Sequence, residues 1–196
     1  MCAKRQSFQP ALEHAADWGD YVEIRLDYLT EDELKHAWRI LPKLLAQSTR
    51  SVILTLRSLA QGGIREVAPA EMQTFVQFAE KALSEDDFVD IELDYLERHV
   101  DVKFDKRKII CSYHNFAELP PDLDAIFDRL AQTSAGVLKI AVRPQRITDC
   151  IPIFRLLERA RRENRELIAI AMDEAGALTR VLVASRGAFL TFGALQ

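Results

Sequence analysis

The sequence predicts an α/β fold, and within that class a (β/α)8 TIM barrel in which helices surround parallel strands. Short apolar runs rich in β-branched residues alternate with longer helical patterns along the 196 residues. No GxGxxG or GxxxxGK(S/T) phosphate loop follows any strand, so a nucleotide-binding, open doubly wound sheet has no support. The run EIRLDYL at 23–29 recurs as DIELDYL at 90–96, with five of seven positions identical. This internal sequence repeat favours repeated βα modules over an open sheet.

Seven runs are strand candidates, because each is mainly apolar and bounded by polar or turn residues: 21–27, 51–57, 88–94, 108–114, 136–142, 166–172 and 188–192. We take residues 1–4 as the remnant of a first strand. Helical patterns cover 8–17, 31–47, 69–83, 121–133, 148–164 and 177–184. Thr30 and Thr148 are suitable N-caps for two of these helices. No linker rich in Ser, Gly or Pro divides the chain, so we expect residues 1–196 to form a single barrel domain.

Composition excludes several classes of protein. A hydrophobic content of 48% with 29% charged residues is ordinary for a globular chain, and the net charge of −4 gives no support for nucleic-acid binding. Cys2, Cys111 and Cys150 are odd in number and widely spaced, as expected of reduced thiols. No apolar run reaches membrane-spanning length and no signal peptide is evident, so we expect a cytoplasmic protein without a membrane partner.

Lys139 lies at the centre of the apolar run Gly136–Val142, which is typical of a fully buried parallel strand. Burying an ammonium group without a partner costs several kcal/mol, so a buried lysine tends to become a neutral amine. A neutral amine in a protected pocket is what Schiff-base chemistry on a ketone requires. The alternative is an ordinary lysine that extends to solvent at a strand end or pairs with a carboxylate.

Polar residues recur near the ends of at least five of the predicted strands. Strand alternation places Glu23, Arg25 and Asp27 on one face. In a barrel such a face points inward, toward the mouth where active sites are assembled. Structural salt bridges that close one end of the barrel are the alternative explanation. The argument that polar side chains point inward toward the barrel mouth also applies to the remaining polar positions, Thr55, Arg57, Asp90, Glu92, Ser112, His114 and Lys139.

His114 ends the predicted strand 108–114, and it is the histidine best placed to accompany Lys139. A lone histidine is often structural, but a neutral imidazole beside a Schiff-base lysine is a suitable proton carrier near pH 7. His14, His36 and His99 lie in helical or loop contexts, and no partners occur at metal-ligand spacing. We therefore predict no metal.

These residues resemble type I 3-dehydroquinate dehydratase. The resemblance rests on five motifs that occur in the family's order from about residue 20 to the end: EIRLD at 23–27, RS at 57–58 with QGG at 61–63, SYHNF at 112–116, KIA at 139–141, and Gly176 with Arg180. It implies a (β/α)8 barrel, often dimeric, that dehydrates 3-dehydroquinate to 3-dehydroshikimate in the shikimate pathway of aromatic amino-acid biosynthesis. We accordingly expect a homodimer.

The resemblance also assigns roles by position. Lys139 would form the Schiff base with the substrate ketone, and His114 would be the general base and acid. Arg180 would bind the substrate carboxylate. No metal or organic cofactor is implied. The other matched positions are the residues that bind the substrate hydroxyls and orient the site, Glu23, Arg25, Arg57 and Gln61; the pocket lining, Phe116, Met172 and Phe192; and the supporting carboxylates, Asp27 and Asp90.

Two departures from the family pattern qualify the resemblance. Gln61 stands where the commonest pattern has Glu, which keeps the hydrogen-bonding shape and loses the charge. The chain also ends at Gln196, directly after the predicted last strand, so we expect a barrel without the family's lid loop and final helix. A catalytically weak or inactive homologue that binds a metabolite or a partner chain is therefore an alternative, and another Schiff-base barrel such as a class I aldolase is a third possibility.

Overall fold

The computed structural model describes residue 14, residues 17–99 and residues 103–193. Within this part of the chain, parallel strands alternate with helices, which confirms the predicted α/β architecture. The predicted strand remnant at 1–4 and nearly all of the predicted helix at 8–17 lie outside the described residues. None of the described helices is both long enough and apolar enough to cross a membrane.

The described strands are β1 (Tyr21–Arg25), β2 (Ser51–Thr55), β3 (Phe88–Glu92), β4 (Ile109–Asn115), β5 (Val137–Val142) and β6 (Glu166–Ala171). The helices are α1 (Glu31–Ala46), α2 (Pro69–Ala82), α3 (Leu93–Arg98), α4 (Leu123–Gln132), α5 (Cys150–Arg162) and α6 (Asp173–Leu182). The strands follow one another in the sheet in chain order. The described residues form two compact units, the first ending at Asp90 and the second comprising Ile91–Gly193.

In the first unit, β1 pairs with β2 and β2 with the start of β3, all parallel. Thr30 caps α1 as predicted. Its hydroxyl accepts a hydrogen bond from Glu33 N (3.4 Å), and the Glu33 carboxylate accepts one from Thr30 N (2.9 Å). Pro69 begins α2, where its missing N–H removes no helical hydrogen bond. Leu41 and Phe75 from these helices are fully buried together with residues of β2.

In the second unit, β5 pairs with β4 on one side and with β6 on the other, again parallel. All six residues of β5 are buried, Lys139 among them. Helices α5 and α6 both pack against β6, and α4 packs against β4 and β5. Because every residue of β5 is buried, both of its faces are shielded from solvent, which explains why its sequence is a continuous apolar run instead of an alternating one.

Several predicted elements differ from the structure. The predicted strands 21–27 and 51–57 end two residues earlier, at Arg25 and Thr55, and Thr148 does not cap a helix, because α5 begins at Cys150 after Asp149. Residues 188–192 do not form a strand: Phe189 N donates to Leu167 O of β6 (2.9 Å), but no ladder continues from that bond. The predicted strand 88–94 ends at Glu92 and is followed by α3, which the sequence pattern missed because the helix has only six residues. The helix predicted at 177–184 begins earlier, at Asp173.

Gly176 permits the close contact between α6 and the end of β6. A Cβ atom at this position would lie only 2.2 Å from Ala171 O. We expect Gly176→Ala to lower the free energy of unfolding by about 1–3 kcal/mol or more through this overlap. The helix preference for Ala over Gly, about 1 kcal/mol, is too small to compensate. Thermal unfolding followed by circular dichroism measures the effect. Gly193→Ala is the matched control, because its Cβ would meet no atom within 4 Å, and an unchanged melting temperature for Gly176→Ala would contradict the prediction.

Candidate active site

Arg25 and Asp27 form a two-pronged ion pair at the end of β1. Arg25 Nε donates to Asp27 Oδ1 (2.8 Å) and Nη2 donates to Oδ2 (2.7 Å), while Asp27 is fully buried. Burial lowers the pKa of the Arg25 guanidinium, but the hydrogen bonds and charge of Asp27, with the charge of Glu23, raise that pKa above its ordinary value. Arg25 is thus held as a fixed cation whose guanidinium lies 5.0 Å from the centre of the Tyr28 ring.

Asp27 also joins β1 to the residue that follows β2. Its Oδ1 accepts a hydrogen bond from Arg57 N at 3.4 Å. The Arg57 side chain in turn pairs with Asp90 on β3, with Nη2 and Oδ2 2.7 Å apart and both groups almost fully buried. On the same face, Thr55 Oγ1 donates to Glu23 Oε1 at 2.8 Å. Polar residues at the ends of three neighbouring strands of the first unit therefore form two hydrogen-bonded groups, and the charge of Glu23 in one group acts on Arg25 in the other.

Gln61 lies in the tight loop that follows Arg57. Gln61 N and Gly63 N both donate to Ser58 O, at 3.0 and 2.8 Å. A side chain at position 63 could not be accommodated, because a Cβ atom would lie 2.1 Å from Arg57 O. The loop therefore packs against the backbone of Arg57, and Gln61 is buried within it.

The Arg57–Asp90 pair yields a stability prediction. Removing one member of a buried ion pair leaves the other charge without its partner, so we expect Asp90→Ala to lower the free energy of unfolding by about 3–5 kcal/mol. Urea unfolding measures this change. Glu31→Ala is the control: Glu31 pairs with Lys35 at 2.8 Å on the exposed face of α1, so its loss should leave the midpoint almost unmoved. Equal effects of the two substitutions would contradict the structural role assigned to Asp90.

Lys139 is the buried lysine among those that the structure describes, with 4% of its surface exposed. It lies in the middle of β5, between Leu138 and Ile140. Its Nζ is 4.3 Å from the centre of the Phe192 ring, so the ring covers the amine. The predicted burial of Lys139 is confirmed.

His114 lies on the same face of the sheet as Lys139. Ser112 of β4 is the register partner of Lys139, and His114 is two residues further along β4. Because side chains alternate along a strand, Ser112, His114 and Lys139 all point to one side. His114 is half-buried, and its ring stacks against Phe116 with centroids 6.2 Å apart and planes inclined by 11°. The structure therefore places an imidazole near a buried amine on adjacent strands.

Arg180, Phe192 and Met172 lie in the C-terminal part of the second unit. Arg180 is exposed on α6, and its Nη1 donates to Phe192 O at 2.9 Å. This bond links the helix that carries Arg180 to the segment whose aromatic ring covers Lys139. Met172 follows β6 directly, and its N donates to Val142 O at 2.8 Å. Of these three residues, Phe192 contacts Lys139, Arg180 is hydrogen-bonded to Phe192, and Met172 is hydrogen-bonded to the last residue of β5.

The predicted site residues fall into two groups. The first unit holds Glu23, Arg25, Asp27, Arg57, Gln61 and Asp90; the second holds His114, Phe116, Lys139, Met172, Arg180 and Phe192.

Sequence reasoning assigned no role to Asn115, whose side chain stabilises the turn after His114. The sequence did contain an indication of this turn, because Asn directly after a predicted strand favours one. Among the described residues, no group of three or more His, Cys, Asp or Glu side chains could hold a metal ion.

Comparison with known proteins agrees with these motifs. The whole chain, residues 1–196, matches the family described as type I 3-dehydroquinase. The chain is 30% identical over 194 residues to a 3-dehydroquinate dehydratase of Coxiella burnetii, an alignment that covers 97% of this chain and 79% of that protein. The crystal structure of 3-dehydroquinate dehydratase from Geobacillus kaustophilus aligns with a TM-score of 0.83 and 26% identity, covering 97% of this chain and 78% of the other.

A second solved structure, the 3-dehydroquinate dehydratase of Aquifex aeolicus, aligns with a TM-score of 0.73 and 28% identity, covering 96% of this chain and 86% of the other. These alignments confirm the fold class predicted from the sequence. The motif set, the parallel strand order and the full-length family match lead to the same assignment. The chain therefore belongs to the type I 3-dehydroquinase family.

Proposed function

We propose that the chain converts 3-dehydroquinate to 3-dehydroshikimate through a Schiff base on Lys139. Family membership gives the class of enzyme, a carbon–oxygen lyase of aromatic amino-acid biosynthesis. The covalent route is our proposal. The observation that carries it is a buried lysine on the same face of adjacent strands as a half-buried histidine.

In the first step, the amine of Lys139 attacks the C3 ketone of the substrate. A C–N bond forms, and the ketone oxygen leaves as water after taking one proton from the amine and one from His114, which gives an iminium. The iminium withdraws electrons from C2, so a proton on C2 becomes acidic enough for a side-chain base to remove. Burial of Lys139 supports this role because it shields the covalent intermediate from bulk water.

In the second step, His114 takes the proton from C2 and the iminium becomes an enamine. The enamine electrons then return to form the C1–C2 double bond as the C1 hydroxyl leaves, and His114 supplies the proton that makes it water. Hydrolysis of the product iminium restores Lys139. The balance is one substrate converted to one product and one water, with no oxidant or reductant.

The family resemblance assigns substrate binding to residues of both units. Arg180 would bind the carboxylate: among the described residues its guanidinium has one hydrogen bond, from Nη1 to Phe192 O, so other donors remain for two carboxylate oxygens. Glu23, Arg25, Arg57 and Gln61 would hold the hydroxyls. The ion pairs with Asp27 and Asp90 support this assignment, because they lock two arginine side chains before substrate arrives. A homodimer stays a prediction from the resemblance, and a cytoplasmic location stays a prediction from the sequence composition.

A direct assay tests the proposal. The product contains a conjugated double bond that the substrate lacks, so its ultraviolet absorbance should rise when 3-dehydroquinate is added to the protein. Product identity is checked by chromatography, and the control is the Lys139→Met variant. Substrate binding by calorimetry without any absorbance change would instead favour the inactive, metabolite-binding homologue.

A further inference from the structure

Asn115 is the last residue of β4 and follows His114 directly. Its Oδ1 accepts hydrogen bonds from Ala117 N (2.9 Å) and Glu118 N (3.0 Å). A side-chain oxygen that binds two backbone N–H groups in this way stabilises a turn. The chain thus reverses immediately after the histidine, and one side chain supplies the acceptor that closes the turn.

The turn determines where Phe116 lies. The Phe116 ring stacks almost parallel to the His114 imidazole, yet 46% of the residue is exposed. An aromatic residue that is this exposed gains little fixed position from core packing. Its place against His114 therefore depends on the backbone of the turn, and that backbone depends on the oxygen of Asn115.

We propose that Asn115 is a positioning residue for proton transfer by His114, acting through the turn and the Phe116 ring. The inference rests on the proposed function, because it assigns His114 the role of base. A histidine whose ring rotates away from C2 still allows substrate to bind, but it transfers the proton less often. Misplacing a reacting group by about 1 Å can cost about 100-fold in rate. The loss should accordingly appear in kcat and not in KM.

Two substitutions separate the oxygen from the rest of the side chain. Asn115→Leu keeps a similar shape and removes the acceptor, whereas Asn115→Asp keeps the acceptor. We expect the leucine variant to lose about 10- to 100-fold in kcat, with KM within about threefold of the parent. The aspartate variant should retain kcat within about threefold at its own pH optimum. Asn115→Ala removes the same acceptor and replaces the leucine variant if that protein does not fold.

Asp122→Leu is the matched control, because Asp122 Oδ1 accepts a hydrogen bond from Ala125 N (2.8 Å) at the start of α4 in the same unit. It should lower the melting temperature and leave kcat unchanged. Parental kcat in Asn115→Leu, or failure of Asn115→Asp to retain activity, would overturn the inference. Failure of the proposed function is distinct, because the parent protein itself would then show no turnover.

Discussion

Lys139→Met is expected to abolish turnover while leaving the protein as stable as the parent or more so. Removing the amine removes the covalent route, and loss of a catalytic nucleophile commonly costs more than about 10⁴-fold in kcat. Methionine has a similar length, fits between Leu138 and Ile140, and can keep a favourable sulfur contact with the Phe192 ring. It also removes a polar group from a strand whose residues are all buried.

The two measurements are the enone absorbance assay and thermal unfolding. Lys108→Met is the control, because Lys108 is half-buried just before β4 and has no assigned role. It should keep parental activity. Lost activity together with a much lower melting temperature in Lys139→Met would show that the lysine supports the fold and would contradict the catalytic assignment.

His114→Ala should produce the second largest effect. General acid–base catalysis contributes about 10²–10⁴-fold per proton-transfer step, and His114 is assigned more than one step. We therefore expect kcat to fall by at least about 10³-fold. Substrate should still bind, because Arg180 and the arginines of the first unit are unchanged, so the dissociation constant of 3-dehydroquinate should stay within about threefold.

His99→Ala is the matched histidine control in the same unit. Its ring stacks on Tyr95 at 4.1 Å and its Nδ1 lies 2.9 Å from Tyr95 O, and neither contact involves Lys139. This variant should retain parental kcat. Near-parental turnover in His114→Ala would contradict the assignment of His114 and show that another group is the base.

The central strands could be predicted because their apolar runs are long enough to require burial. The run around Lys139 predicted both a strand and a buried amine, and both are confirmed. Alternation along the predicted strand 21–27 likewise placed Arg25 and Asp27 on one face. The structure shows them as a bidentate pair, although β1 ends at Arg25 and Asp27 lies in the helical turn that follows. Within a strand, the periodicity of the backbone decides which side chains share a face.

Other features depend on contacts between residues far apart in the chain. Residues 188–192 have the composition of a strand, but composition cannot show whether hydrogen-bond partners are available on both sides. In the structure that segment instead places the Phe192 ring over Lys139, and Phe192 O accepts a hydrogen bond from Arg180. The short helix α3 was missed because the repeated LDY sequence continues from a strand into a helical turn, as it also does at Leu26–Tyr28.

The most direct test of the central claim is borohydride trapping during turnover. Hydride reduces an iminium to a stable secondary amine, so 3-dehydroquinate and borohydride together should inactivate the protein, while either alone should not. Peptide mass spectrometry should then find the adduct on Lys139 and on none of the exposed lysines such as Lys35, Lys43 or Lys106. An active protein that yields no adduct, or one modified at another lysine, would contradict the account.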